Sequence, residues 1–141
     1  MKISRKAEYA LRAMTLLSAA PRQQPFQIQD LAGQGEIPVK FLEQILLSLK
    51  RSGLLKSKRG VGGGYLLNHE PRAITVADVI EAIDGDLCSL AGEKSGPDFP
   101  GAAGLQDCLE TVDQTVNDQL RSRNFEEILQ FGNEADVGFG I

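Results

Sequence analysis

The chain is short of the residues on which most catalytic sites are built. Its 141 residues include one histidine and two cysteines. There is no Ser/His/Asp arrangement, only the one histidine, His69, and no recognisable motif places a pair of carboxylates for acid–base work, so the sequence does not read as an enzyme. No apolar run approaches the ~20 residues needed to span a bilayer. The opening Met-Lys-Ile-Ser-Arg-Lys-Ala-Glu lacks the apolar segment of a signal peptide, and Glu8 and Arg12 break up the next stretch of chain. Two cysteines without an export signal argue against a disulfide framework and leave metal or redox chemistry open. The expected compartment is therefore the cytoplasm, with no membrane partner.

A net charge of −4 looks unsuited to nucleic acid until the chain is divided. Residues 1–72 hold 12 Lys and Arg against 5 Asp and Glu, a net of +7, whereas residues 73–141 hold 3 against 14, a net of −11. A basic half suits phosphate and an acidic half does not, which points to two jobs along one chain.

The apolar pattern gives the organisation. Ser4 is placed to cap a helix carrying Leu11, Met14, Leu16 and Leu17, ended by Pro21 and Pro25. Ile28, Leu31 and Ala32 mark a short amphipathic turn closed by Gly33 and Gly35. Pro38 then opens a longer helix with Phe41, Leu42, Ile45, Leu46 and Leu49 on its apolar face, stopped at Ser52-Gly53. Short helix, turn and longer helix make a helix-turn-helix. Two short apolar segments, 54–58 and 65–67, flank Arg59-Gly60-Val61-Gly62-Gly63-Gly64 and predict a β-hairpin, which in this position is a wing. Thr75 caps a helix bearing Val76, Val79, Ile80 and Ile83. Residues 85–104 lack periodicity and read as a loop. Leu109, Val112, Val116 and Leu120 then form one stripe on a long helix, and Asn124 with Glu127 suggests a capping box for a short final helix carrying Phe125, Ile128 and Leu129.

The glycine run is not a nucleotide loop. A P-loop needs Lys-Ser/Thr after its last glycine, where Tyr65 stands, and no helix comes after it as the dinucleotide fingerprint requires. A tight hairpin accounts for it better. Arg59, with Gly60 beside it at the tip, would then meet a groove or a phosphate. On the longer helix, Lys40, Glu43, Gln44, Lys50 and Arg51 lie beside the apolar stripe. Glu43 can accept from cytosine N4, Gln44 can pair with adenine, and the cations near the end of the helix suit phosphate.

Four segments carry a resemblance: Glu8-Tyr9-Ala10-Leu11-Arg12; Leu42-Glu43-Gln44-Ile45-Leu46; Arg59-Gly60 with Gly62-Gly63-Gly64-Tyr65-Leu66-Leu67; and Ile74 through Gly85. Together they resemble the BadM/IscR/NsrR-type regulators over about residues 1–130. The resemblance implies a homodimer with crossing C-terminal helices and, in many relatives, an iron–sulfur cluster held in the loop before that helix. Cluster-binding relatives usually carry three closely spaced cysteines. Here Cys88 matches the first and Cys108 the last, and the middle one is missing. Two thiolates can hold one iron; the second iron of a 2Fe–2S cluster would need other ligands, as histidines provide in Rieske centres. The resemblance points to Glu8, because in some relatives the partner's first helix supplies a ligand from this position. The alternative is that Glu8 pairs with Arg12 one turn on and the cysteines are unliganded. His69 reads as a surface residue.

The expected fold is mainly α with a small β-hairpin wing: a winged helix-turn-helix (1–84), a sensor or cluster loop (85–104), a dimerisation helix with a short terminal helix (105–131) and a flexible tail (132–141). The expected function is that of a dimeric transcriptional regulator binding a double-stranded operator, switched at Cys88, Cys108 and Glu8. The alternative keeps the fold without a cluster and senses a small molecule, a thiol oxidant or a partner protein.

Overall fold

The computed structural model describes residues 3–87, 89–92 and 96–139. Its elements run α1 (Arg5–Ala19), α2 (Ile28–Gly35), α3 (Val39–Arg51), β1 (Leu55–Lys58), β2 (Gly64–Leu67), a single 3₁₀ turn (Pro71–Ala73), α4 (Val76–Asp84), α5 (Ala102–Ser122) and α6 (Phe125–Phe139). This is the mainly helical winged architecture expected from the sequence.

Helix α1 is the seat on which α2, α3, α4 and α6 pack. Ser4 caps it, the hydroxyl accepting from the Ala7 N–H at 3.0 Å. Ala7, Ala10 and Ala13 are buried with Met14 and Leu17, whereas Leu11 and Leu16, expected in the core, are half-buried. The small alanine side chains allow close approach from several directions, which a leucine face would not. Leu31, Ile37, Leu42, Ile45, Leu46 and Leu49 complete the helix-turn-helix core. Thr75 and Asp78 form a reciprocal capping box that starts α4.

The hairpin pairs antiparallel, Leu55 opposite Leu67 and Lys58 opposite Gly64. A one-residue bridge adds Phe26, which exchanges backbone hydrogen bonds with Tyr65 at 2.8 and 2.9 Å. That contact explains Gly64: a Cβ there would lie 2.5 Å from the Phe26 carbonyl oxygen. The wing is thereby fastened to the segment between α1 and α2.

The C-terminal part differs from expectation in three respects, the first being that α5 begins at Ala102, inside the segment expected to be a loop through residue 104. Helix α6 is not short; it continues to Phe139, past the boundary expected at 131 and through most of the segment expected to be a tail. It also returns to the winged core. Asn124 bridges to Thr75, and the Phe125 N–H donates to the Ile74 carbonyl at 3.2 Å. Phe125 is fully buried in the same cluster as Met14, Leu31 and Ile74, so one core joins residues on both sides of residue 84. The expected Asn124 cap is present, its Oδ1 accepting from the Glu127 N–H at 2.9 Å. Helix α5 is the element left outside this core. Among its described residues only Asp113 is buried, and Leu105 and Val112 are exposed.

Candidate nucleic-acid interface and cysteine region

Helix α2 ends at Glu36 in the left-handed conformation (φ 51°), and the Ile37 N–H returns to the Ala32 carbonyl at 2.9 Å. This reversal drops Ile37 into the core and launches α3 from Pro38. Arg12 braces the turn: its guanidinium donates to the Gly35 carbonyl at 3.1 Å and lies over the Tyr9 ring, 5.2 Å from the centroid. Arg12 is thus engaged with the turn, and Glu8 is not its ion-pair partner among the described residues. Tyr9 in turn meets Phe41, ring centroids 6.1 Å apart. Phe41 was expected on the buried stripe of α3; it is 48 % exposed and sits on the flank, because that stripe is complete with Leu42, Ile45, Leu46 and Leu49.

Lys40, Glu43, Gln44, Lys50 and Arg51 are all exposed on α3. Lys50 donates through Nζ to Ser57 Oγ of β1 at 2.7 Å, tying the end of α3 to the wing. An ammonium has three donors, so this bond leaves Lys50 able to meet a phosphate as well. Arg59 and Gly60 are exposed where the hairpin turns, with the Gly63 N–H closing the turn onto the Gly60 carbonyl at 3.0 Å. Gly60 has φ 96°, a value that disfavours any side chain there. Lys56 and Lys58 are also exposed on β1, and Val61 stands fully exposed at the tip. These three were not singled out from the sequence; the alternation in Leu55-Lys56-Ser57-Lys58 was the available signal. A helix carrying hydrogen-bonding side chains flanked by cations, with a cationic hairpin tied beside it, can read base edges while holding the backbone.

The second region lies around α5. Cys108 is exposed on that helix; Cys88 falls outside the described residues. Among the described residues, no three His, Cys, Asp or Glu side chains converge within one chain. Glu8 is exposed in the first turn of α1, along an open groove shared with Leu11, Arg12, Gln34 and Glu36. Ser4, one turn before Glu8, donates to Asp84 Oδ1 at 2.5 Å and so fastens α1 to the end of α4 where the loop begins. Farther along the loop, Asp113 accepts from the N–H groups of Leu90 and Ala91 at 2.7 and 2.9 Å, holding loop backbone against α5. Asp113 was not expected in a structural role. Its position one residue after Val112, at the border of the apolar stripe, was the only sequence signal.

Comparison with known proteins accords with this geometry. A family model described as Rrf2, iron-dependent transcriptional regulator, matches residues 3–130. A Mycobacterium tuberculosis protein named as an HTH-type transcriptional regulator is 37% identical over 140 residues, covering 99% of this chain and 83% of the relative. The structure of CymR, the global cysteine regulator of B. subtilis, superposes with a TM-score of 0.80 at 29% identity, covering 93% of this chain and 98% of CymR. T. potens IscR gives 0.79 at 29% identity, covering 96% and 90%. No helix among the described residues is long and apolar enough to cross a membrane. The chain belongs to the Rrf2 family, and it is a DNA-binding transcriptional regulator rather than an enzyme.

Proposed function

We propose that the protein works as a homodimer on a two-fold operator, reading bases with Lys40, Glu43 and Gln44 and gripping backbone with Lys50, Arg51 and the Arg59–Gly60 tip. The observation that carries this reading is the exposed polar and cationic face of α3 beside the basic wing. The dimer reading is supported by α5, whose Leu109, Val112, Val116 and Leu120 are covered only in part by their own chain. A duplex-binding assay across salt concentrations tests the first element. Steep loss of affinity with salt is expected, and salt-independent binding would count against it.

We further propose that Cys88, Cys108 and, from the second copy, Glu8 hold a 2Fe–2S cluster. The available donors suit it: the Cys108 thiol is exposed, and the Glu8 carboxylate is exposed with no hydrogen-bond or ion-pair partner among the described residues. Two thiolates and a weaker carboxylate supply three of the four ligands that such a cluster takes, with the carboxylate the more easily displaced. Bound there, such a group would supply a one-electron redox centre. Glu8 would join that centre to the helix that seats the whole reading unit. Absorption spectra of anaerobically purified protein, with iron and sulfide analysis, test this. Cys108→Ala should abolish the chromophore, and Glu8→Ala should leave a less stable one. A second reading, a cluster-free regulator sensing a small molecule, a thiol oxidant or a partner protein, is favoured by the missing middle cysteine and by the likeness to CymR. Protein holding neither iron nor sulfide after reconstitution would establish that reading over the first.

A further inference from the structure

Helix α3 buries Leu42, Ile45, Leu46 and Leu49. At about 100° per residue, the direction opposite that stripe falls among Lys40, Gln44, Leu47 and Arg51. Three of these are polar or charged, as the outward face of a surface helix should be. The exception is Leu47, which is 44 % exposed. Its neighbours one turn back are Glu43 and Gln44, and those one turn on are Lys50 and Arg51, all exposed. A large apolar side chain therefore stands at the middle of the surface that reads DNA, ringed by groups suited to base edges and phosphates.

From this placement we infer that Leu47 is a specificity-determining residue that packs on the 5-methyl group of a thymine in the major groove. The inference rests on the reading of α3 as the base-reading helix. Thymine alone among the four bases presents a methyl group there, and apolar side chains are its natural contact. The residues ringing Leu47 fix the occupant: cations at positions 50 and 51 complement phosphate, and Lys40 and Gln44 complement base edges. A leucine in that setting leaves water only when a duplex covers it, and the one apolar group the groove offers is the thymine methyl.

The test separates the methyl from every other feature of the base pair. The wild-type dimer selects a binding sequence from a pool of duplexes with a randomised central segment. The selected duplex is then resynthesised with deoxyuridine in place of thymidine, one position at a time in both half-sites. Burial of one methyl group is worth about fourfold in affinity, so about fifteenfold across two half-sites. One thymine position should show this loss with wild type and show none with Leu47→Ala. Leu47→Gln, which keeps size but not apolar character, should also be indifferent to the methyl. Both variants should melt at the wild-type temperature, because residue 47 lies outside the core. Wild-type indifference to deoxyuridine at every position overturns the inference, as does a penalty that persists in Leu47→Ala. If wild type selects no sequence and binds no duplex in a salt-dependent manner, it is the reading of α3 that fails, and the inference falls with it.

Discussion

Asp113 offers a measurable link between the loop and α5. It is 8 % exposed, and its two carboxylate oxygens accept from consecutive backbone N–H groups, those of Leu90 and Ala91, at 2.7 and 2.9 Å. Hydrogen bonds to a charged group contribute about 1.5–3 kcal/mol each when buried. Both are partly buried, and amides freed from the carboxylate regain some water, so the two together are expected to hold the loop by about 2 kcal/mol. Asp113→Ala should therefore raise the exchange rates of the Leu90 and Ala91 amides about thirtyfold, since 1.4 kcal/mol is a factor of ten. Asp113→Asn keeps one acceptor and turns an NH₂ toward the other N–H, so it should fall between alanine and wild type. Amides of α1 and α3 should be unchanged, because the loop is not part of their core. The assay is residue-resolved hydrogen exchange. Unaltered exchange at Leu90 and Ala91 in Asp113→Ala would refute the idea that this carboxylate holds the loop.

Three further outcomes are expected. Val112→Asp combined with Val116→Asp should give monomers by sedimentation that no longer bind a two-half-site duplex, and a double variant that sediments as a dimer would move the interface off the α5 stripe. Arg59→Ala should weaken duplex binding and lower the slope of log affinity against log salt by about two, one phosphate contact per protomer. Wild-type affinity at physiological salt would remove the wing tip from the DNA surface. Phe125→Ala, which empties a fully buried site, should cost about 3–5 kcal/mol in chemical denaturation; a loss below about 1 kcal/mol would mean that α6 does not belong to the cooperative core.

What could be read from the sequence was whatever rests on local chemistry. The Ser4, Thr75 and Asn124 caps, the Pro38 start of α3 and the glycine-dependent wing arise from groups a few residues apart, and all occur in the structure. Long-range packing was not legible. Nothing local says that Arg12 will brace the α2–α3 turn instead of pairing with Glu8, or that Phe125 will fill the core beside Ile74 rather than begin a peripheral helix. Phe41 was assigned to the apolar stripe because periodicity alone cannot tell the edge of a face from its centre. Of the candidate site, the exposed positions on α3 and at the wing tip were found from residue type and spacing. Leu47 escaped notice, because an apolar residue in a helix reads as core until the orientation of that helix is known.

The return of Phe125 to the core constrains the length of α5. Midway along that helix Asp113 holds the loop backbone at Leu90 and Ala91, and beyond its end the chain is fixed by Phe125 and the Asn124–Thr75 bridge. Inserting one residue into α5 would turn everything beyond it by about 100° and advance it by about 1.5 Å. Phe125 would rotate off its seat, or the apolar stripe would lose its alignment with the reading unit below. Insertions of three or four residues, close to a whole turn, would keep the phase while lengthening the span by about 5 Å. Between Asp113 and Phe125 the helix thus acts as a spacer of set pitch within its own chain.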